Sequence, residues 1–314
     1  MGKAYDLIVV GSGPAGASAA IYAKRNGVNV AVVDSGTMGG QLSFAYEIEN
    51  YLGIPKMTGQ QWSELTKKHL DRIGIEIILD AVSTASTDGG RFSLTLSSGK
   101  TLSSSALIIA TGAAHRHLGA DGEEKFFGRG ISYCATCDGY FFRGKDVAVV
   151  GGGNTALTYA LFLSGIASKV YLVHRREGFR AEKAVVDEVL SNPKIIPLLS
   201  KVPVKFSGSE VLQHVELRDT ASGEISKLDV SGAFIAVGTV PQSALAVQLG
   251  AKVSVSRHVE VDENCKTSVD GLYAAGDVTV RGRAQAIHAA AEGMVAGIEA
   301  SSYLRKRAVG ERSS

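Results

Sequence analysis

The chain has 314 residues, with 33 Lys and Arg against 31 Asp and Glu and a formal net charge of +2. That balance gives no reason to invoke nucleic acid or an anionic membrane surface, and no window approaches the ~18 uninterrupted apolar residues of a membrane-spanning helix. The composition, 45% hydrophobic and 20% charged with 37 glycines but 6 prolines, is that of a globular protein with many tight turns and few disordered linkers.

The first apolar run, "YDLIVV" (Tyr5–Val10), predicts a buried parallel strand. It is too short for a signal peptide and leads straight into glycines, so a cytoplasmic protein is expected. "GSGPAG" follows: Gly11, Ser12, Gly13, Pro14, Ala15 and Gly16. An Ala-rich helix and a second strand, "VNVAVVD", end at Asp34. Strand, glycine turn, helix, strand and terminal acid form the context of a dinucleotide site. The first glycine makes the turn and the second lets the backbone approach a pyrophosphate. The third lets helix pack on strand, while the helix N-terminus attracts the negative charge. Asp34 can accept a hydrogen bond from a ribose hydroxyl. Further on, "GQQWSELTKKHLDRIG" predicts an amphipathic helix that places Trp62 in packing, and "ALIIATGA" (Ala106–Ala113) a strand ending in a small-residue turn.

"YCATCDGYFF" (Tyr133–Phe142) holds two of the three cysteines. A zinc site needs about four ligands; Cys265 is distant, and no His or Cys pair stands at ligand spacing elsewhere, so no metal is expected. Cytoplasmic dithiols are kept reduced, which disfavours a static staple. A redox pair of Cys134 and Cys137 is therefore favoured. Asp138, directly after it, is either an acid that protonates a departing thiolate or a cap of the Asp-Gly turn.

The first pattern then returns. "KDVAVV" predicts a strand, "GGGNTA" carries Gly151, Gly153, Asn154 and Thr155 in G-x-G-x-x-A form, and "KVYLVH" ends at His174. Gly11 to Asp34 and Gly151 to His174 are both offsets of 23. Where the first repeat has an acid, the second has "HRREGFR", with His174, Arg175, Arg176 and Arg180. Guanidinium groups bind a 2′-phosphate that an acid would repel. The first site thus suits an adenosine with a free 2′-OH, and the second suits NADPH. "GAFIAVGT" (Gly232–Thr239) echoes "ALIIATGA", so one nucleotide-binding unit is read as inserted into the other.

In "TSVDGLYAAGDV" (Thr267–Val278) a strand ends at Gly276-Asp277, and a long Ala-rich helix follows. Asp277 can cap that helix or accept from a ligand hydroxyl. Cys265, in polar "DENCKTS", is read as a lone reduced thiol in a loop. His288 is read as packing more than ligand contact, and the tail "YLRKRAVGERSS" as a solvated terminus.

Taken in order, "GSGPAG", "GGQL", "ATGA", "CATCDG", "GGGNTA", "HRREGFRAEK" and "AAGDV" resemble low-molecular-weight thioredoxin reductases, flavoproteins with two dinucleotide domains. The resemblance covers essentially the whole chain. It implies an α/β fold of two Rossmann-like three-layer domains, an NADPH domain (117–241, carrying the CxxC) inserted into an FAD domain (1–116 and 242–314). FAD would be held by Gly11 to Gly16 and Asp34, by Gly40, Gln41 and Asn50 beside the flavin, and by Thr111 and Gly112. Gly276, Asp277, Gln285 and Ala286 would complete that site. NADPH would meet Gly153, Asn154 and Thr155 at its pyrophosphate and Arg175, Arg176 and Arg180 at its 2′-phosphate, with Gly151 and His174 also among its binding residues.

By the same resemblance Cys137 faces the flavin, Cys134 attacks thioredoxin or a thioredoxin-like protein, and Asp138 is the catalytic acid. Rotation on linkers near Ala114–Glu123 and Val240–Ser243 would let nicotinamide and dithiol face the flavin in turn, in a homodimer. Ala284, Asp270 and Gln242 depart from the family's usual Arg, Pro and Asn. A flavoprotein reductase of a peroxide-reducing system ranks lower, since the chain begins at the first strand. A dithiol oxidase ranks lower too, because the arginine cluster is intact. A flavin-based redox sensor lacks a recognisable partner module.

Overall fold

The computed structural model describes residues 3–36, 38–45 and 47–312. The chain forms two compact units, Met1–Ala114 with Val240–Ser314, and His115–Thr239.

In the first unit, parallel strands run in the order Glu76–Leu79, Val30–Asp34, Lys3–Val10 and Thr101–Ile109. Leu272–Ala274 also pairs parallel with Thr101–Ile109, and two antiparallel strands, Arg91–Leu96 and Val82–Asp88, extend the sheet. Leu7, Ile8 and Val9 are fully buried, as expected of a strand covered on both faces. The helix Pro14–Arg25 lies against the C-terminal helix Ala286–Arg312. A Cβ on Gly293 would fall 2.0 Å from the Ala15 carbonyl oxygen, and one on Gly297 2.4 Å from that of Ala19. Only glycine permits so close a crossing. Thr58 and Gln61 cap the helix Gly59–Arg72 reciprocally, and Trp62 and Leu70 are buried on it.

In the second unit, Ile195–Leu198, Lys169–Val173, Asp146–Val150, Gly232–Ile235 and Ile131–Ser132 form a parallel sheet in that order. An antiparallel sheet of Lys201–Gly208, Leu212–Asp219 and Ile225–Asp229 accompanies it.

The shared spacing of 23 is a strand register. Val10 pairs with Val33, and Val150 with Val173. One step on, Gly11 N donates to Val33 O at 2.8 Å and Gly151 N to Val173 O at 3.0 Å. The second echo matches as well, since Ala110 N donates to Val10 O and Ala236 N to Val150 O, both at 2.8 Å. Each unit therefore carries the same crevice at the carboxyl ends of its parallel strands, where ligands of such sheets bind.

Two local readings gain detail. Cys265 is a lone thiol in a loop, as read from the sequence, but a buried one: it is 2% exposed, unpaired by disulfide, and its Sγ faces the Glu292 carbonyl at 3.5 Å. Burial, with Glu292 nearby, pushes that thiol up to about 12. The polar neighbours of Cys265 in sequence conceal a site buried by the distant C-terminal helix. The tail is helical as far as Arg312, and Arg307 Nη1 donates to the Gly90 carbonyl at 2.5 Å; Ser313 and Ser314 lie outside the described residues. Among the described residues no helix is long and apolar enough to cross a membrane.

Candidate active site

The dithiol stands at the end of Ile131–Ser132. Cys134 is extended, with φ −134° and ψ 100°, and caps the short helix Ala135–Asp138. Cys134 and Cys137 are joined as a disulfide with Cα atoms 5.3 Å apart. The Cys137 amide donates to Cys134 Sγ at 3.2 Å, so a negative charge on that sulfur would meet a backbone N–H.

Ser132, buried and unremarked in the sequence, organises the pair. Its hydroxyl accepts from the Cys134 amide at 3.0 Å and donates to Asp138 Oδ2 at 2.5 Å. The Asp138 side chain does not cap the turn Gly139–Phe142 that follows. Burial pushes its carboxyl up, and the Ser132 hydrogen bond opposes this. Asp138 is thereby shifted toward holding a proton beside the sulfurs.

The first glycine turn divides its labour. A Cβ on Gly11 would lie 2.3 Å from the Ala110 carbonyl oxygen, and one on Gly16 1.9 Å from that of Gly11. At Gly13 the nearest atom is 3.9 Å away. Two glycines are thus needed for packing, and the middle one has room beside it, where a Cβ would make only ordinary contact with the Gly39 carbonyl oxygen, as suits a pyrophosphate cradle. Gly13 precedes Pro14 at the helix start with no side-chain cap, which leaves amides for an anion. Asp34 Oδ2 accepts from the Ser12 amide and hydroxyl, both at 2.6 Å, and Oδ1 from Gly36 N at 2.9 Å. These contacts fix the carboxylate at the crevice edge.

The second turn repeats this. A Cβ on Gly151 would lie 2.4 Å from the Ala236 carbonyl oxygen, one on Gly152 2.2 Å from the His174 ring, and one on Gly153 would meet nothing within 4 Å. Arg180 N donates to Gly152 O at 2.7 Å, which ties the arginine loop to the turn. Arg175, Arg176 and Arg180 are exposed, whereas His174 is buried, stacked on Phe179 at 5.7 Å. Its Nε2 is buried with no hydrogen-bond partner. Burial pushes the imidazole down, opposed by a hydrogen bond with the Gly178 backbone and aided by the three arginines, which favours the neutral ring under the turn. The Asn154 side chain is committed to Glu182, accepting from its amide at 2.8 Å. The open face at Gly153 and the exposed guanidinium groups fit a phosphorylated dinucleotide.

The remaining candidates gather in the first unit. Gln41 Nε2 donates to the Ala113 carbonyl, Thr111 Oγ1 to that of Gln242 at 2.6 Å, and Asn50 Nδ2 to Gln285 Oε1 at 3.4 Å. Asp277 Oδ1 accepts from Ala284 N at 2.9 Å, so it closes its own loop instead of capping the long helix. Ala284, at φ 52°, supplies the left-handed turn there. Glu292 was not anticipated: its Oε2 accepts from Gly276 N at 2.8 Å and its Oε1 stands 3.5 Å from Arg281 Nε. An acid among the alanines of that helical stretch was the available signal.

Residues 5–293 match the family described as pyridine nucleotide-disulphide oxidoreductase. The chain belongs to that family. Within it, the chain is 41% identical over 311 residues to thioredoxin reductase of Vibrio cholerae serotype O1, covering 96% of this chain and 97% of the relative. It is 41% identical over 314 residues to thioredoxin reductase of Escherichia coli O157:H7, at 96% and 97% coverage. The crystal structure of thioredoxin reductase from Streptococcus pyogenes superposes with a TM-score of 0.92, at 33% identity, covering 98% of this chain and all of that one. The family member described here is an oxidoreductase with two Rossmann-like units, and membership implies a flavin and a pyridine nucleotide.

Proposed function

We propose that this chain is an NADPH-dependent flavoprotein that reduces the disulfide of thioredoxin or a thioredoxin-like protein through Cys134 and Cys137. The observation that carries the reading is the Ser132 bridge, which sets an acid raised by burial beside a disulfide-forming pair. The same unit bears the glycine turn flanked by exposed arginines.

When bound, FAD would supply two-electron transfer from NADPH to the disulfide. The backbone at Gly13 and the edge set by Asp34 would hold its adenosine diphosphate half. Asn50, Gln285 and Asp277 would serve its flavin half. The open face at Gly153 would admit the NADPH pyrophosphate, and Arg175, Arg176 and Arg180 its 2′-phosphate. The neutral His174 supports the turn from below.

In the reduced enzyme the Cys134 thiolate, held on the Cys137 amide, attacks one sulfur of the substrate disulfide. That bond breaks, and Asp138 delivers its proton to the departing thiolate. The Cys137 thiolate then attacks Cys134 Sγ, re-forming the enzyme disulfide and releasing the second substrate sulfur as a thiolate that takes its proton from water. Two electrons leave the dithiol and the substrate becomes a dithiol. The nucleotide turn and the dithiol share one unit and both need the flavin, so the proposal includes a rotation at the two chain crossings. It also includes a cytoplasmic homodimer.

The test is NADPH oxidation by the FAD-loaded protein with and without thioredoxin, and with NADH in place of NADPH. Thioredoxin-dependent oxidation of NADPH is expected. Its absence with every thioredoxin of the host would overturn the reading.

A further inference from the structure

The residue before Cys134 is held by more partners than a strand end needs. Tyr133 is 8% exposed, and its phenol donates to Glu123 Oε1 at 2.7 Å. Glu123 is 3% exposed, and its carboxylate also accepts from Leu118 N and Gly119 N, each at 2.9 Å. His117 Nδ1 stands 2.9 Å from the same phenol oxygen. The phenol proton points at Glu123, so His117 Nδ1 is left as the donor in this contact. His115 stacks on the Tyr133 ring at 4.5 Å and 13°, and Phe127 meets it edge-on at 5.5 Å. Tyr159 donates to the Tyr133 carbonyl at 3.3 Å. Burial, with Glu123 beside it, pushes the phenol far up, so it remains a donor at any working pH. A buried tyrosine paired with a glutamate often serves only to hold a fold. Here the pair also joins the segment 117–119 to the backbone from which the reactive sulfur extends.

We infer that Tyr133 is a positioning residue for Cys134. Glu123 holds Tyr133 by its phenol, and Tyr133 holds the extended backbone that keeps Cys134 Sγ on the Cys137 amide. The inference rests on the reading of Cys134 as the attacking sulfur.

The test is alkylation of the reduced, FAD-loaded enzyme with iodoacetamide across pH, with Cys134 and Cys137 followed separately by peptide mass spectrometry. Tyr133→Phe removes one oxygen atom. Glu123→Gln keeps an acceptor for the phenol but turns donors toward Leu118 N and Gly119 N. Each variant should move the Cys134 profile to higher pH and slow its alkylation about fivefold below the midpoint, the worth of roughly one helix cap. The double variant should do no more than the larger single change, because both act along one path. The titratable neighbours Cys137, Asp138 and Tyr159 are unchanged in all three. A purely structural role would lower the melting temperature and leave the Cys134 profile where it was, and that result in Tyr133→Phe overturns the inference. Should Glu123→Gln not fold, Tyr133→Phe alone decides. Alkylation needs no thioredoxin, so failure of the substrate assignment would not be mistaken for failure of this one.

Discussion

Ser132 donates a hydrogen bond of 2.5 Å to Asp138, and the same oxygen accepts from the amide of Cys134. One hydroxyl thus couples the charge of the acid to the placement of the sulfur. It also opposes the effect of burial on the Asp138 carboxyl. In Ser132→Ala burial acts unopposed and the carboxyl rises further. A proton donor is lost as pH climbs through its pKa, so the alkaline fall of thioredoxin reduction should move up by about one pH unit. The pH profile of kcat reads this directly. A fall that stays in place would remove Asp138 from the proton transfer.

Asp138→Asn should slow thioredoxin reduction by about 10²- to 10⁴-fold. It should also change stability with a definite sign. The folded-state pKa is raised, so the linked stabilisation is present below the unfolded carboxylate value near ~3.9 and is lost as pH rises through the folded value. Asparagine does not titrate. The melting temperature of Asp138→Asn, relative to wild type, should therefore increase from acid to neutral pH.

Cys134→Ser should abolish thioredoxin-dependent turnover while NADPH still bleaches the bound flavin. The flavin absorbance during anaerobic NADPH titration separates the two half-reactions. Retained turnover would remove Cys134 from the exchange.

Arg175→Ala with Arg176→Ala should raise KM for NADPH about 10- to 100-fold, the range for hydrogen bonds to a charged group. KM for NADH should hardly change, because NADH lacks the 2′-phosphate. Equal effects on both coenzymes would detach the cluster from that phosphate.

Two alanine substitutions two residues apart should behave oppositely. Gly151 lies at φ 152°, and its Cβ would press on the Ala236 carbonyl at 2.4 Å. Gly151→Ala should cost about 2–3 kcal/mol in unfolding experiments. At Gly153 a Cβ meets nothing within 4 Å. Gly153→Ala should keep its melting temperature and raise KM for NADPH at least about tenfold, because the methyl occupies ligand space.

The fold was legible because its signals are local and periodic. Two strand–glycine–helix–strand runs with one shared spacing already contain the register that pairs Val10 with Val33 and Val150 with Val173. The dithiol and the arginines declared themselves by residue type. What stayed hidden depends on contacts across long sequence distances. Cys265 looks polar in its own loop and is buried by a helix that starts at Ala286. His174 adjoins the arginines in sequence, yet it points inward beneath Gly152. Glu123 sits in an ordinary charged run, and only the fold shows that its carboxylate is spent on Tyr133 and two amides. Ser132 carries no signal at all, because a buried serine is recognised only by its partners.

The hydrogen bonds at the cut ends of each unit bear on how the chain could be rebuilt. In the first unit Gln242 N donates to Gly112 O at 2.9 Å, and in the second Arg116 N donates to Gly238 O at 3.0 Å. Each unit thus has its two ends one hydrogen bond apart. To the host sheet, the whole insertion is topologically a hairpin loop, and loop-closure entropy grows only slowly with length. A short turn in place of His115–Thr239 should leave the host able to close, and the excised segment has its termini side by side, as a module that can be moved or permuted requires.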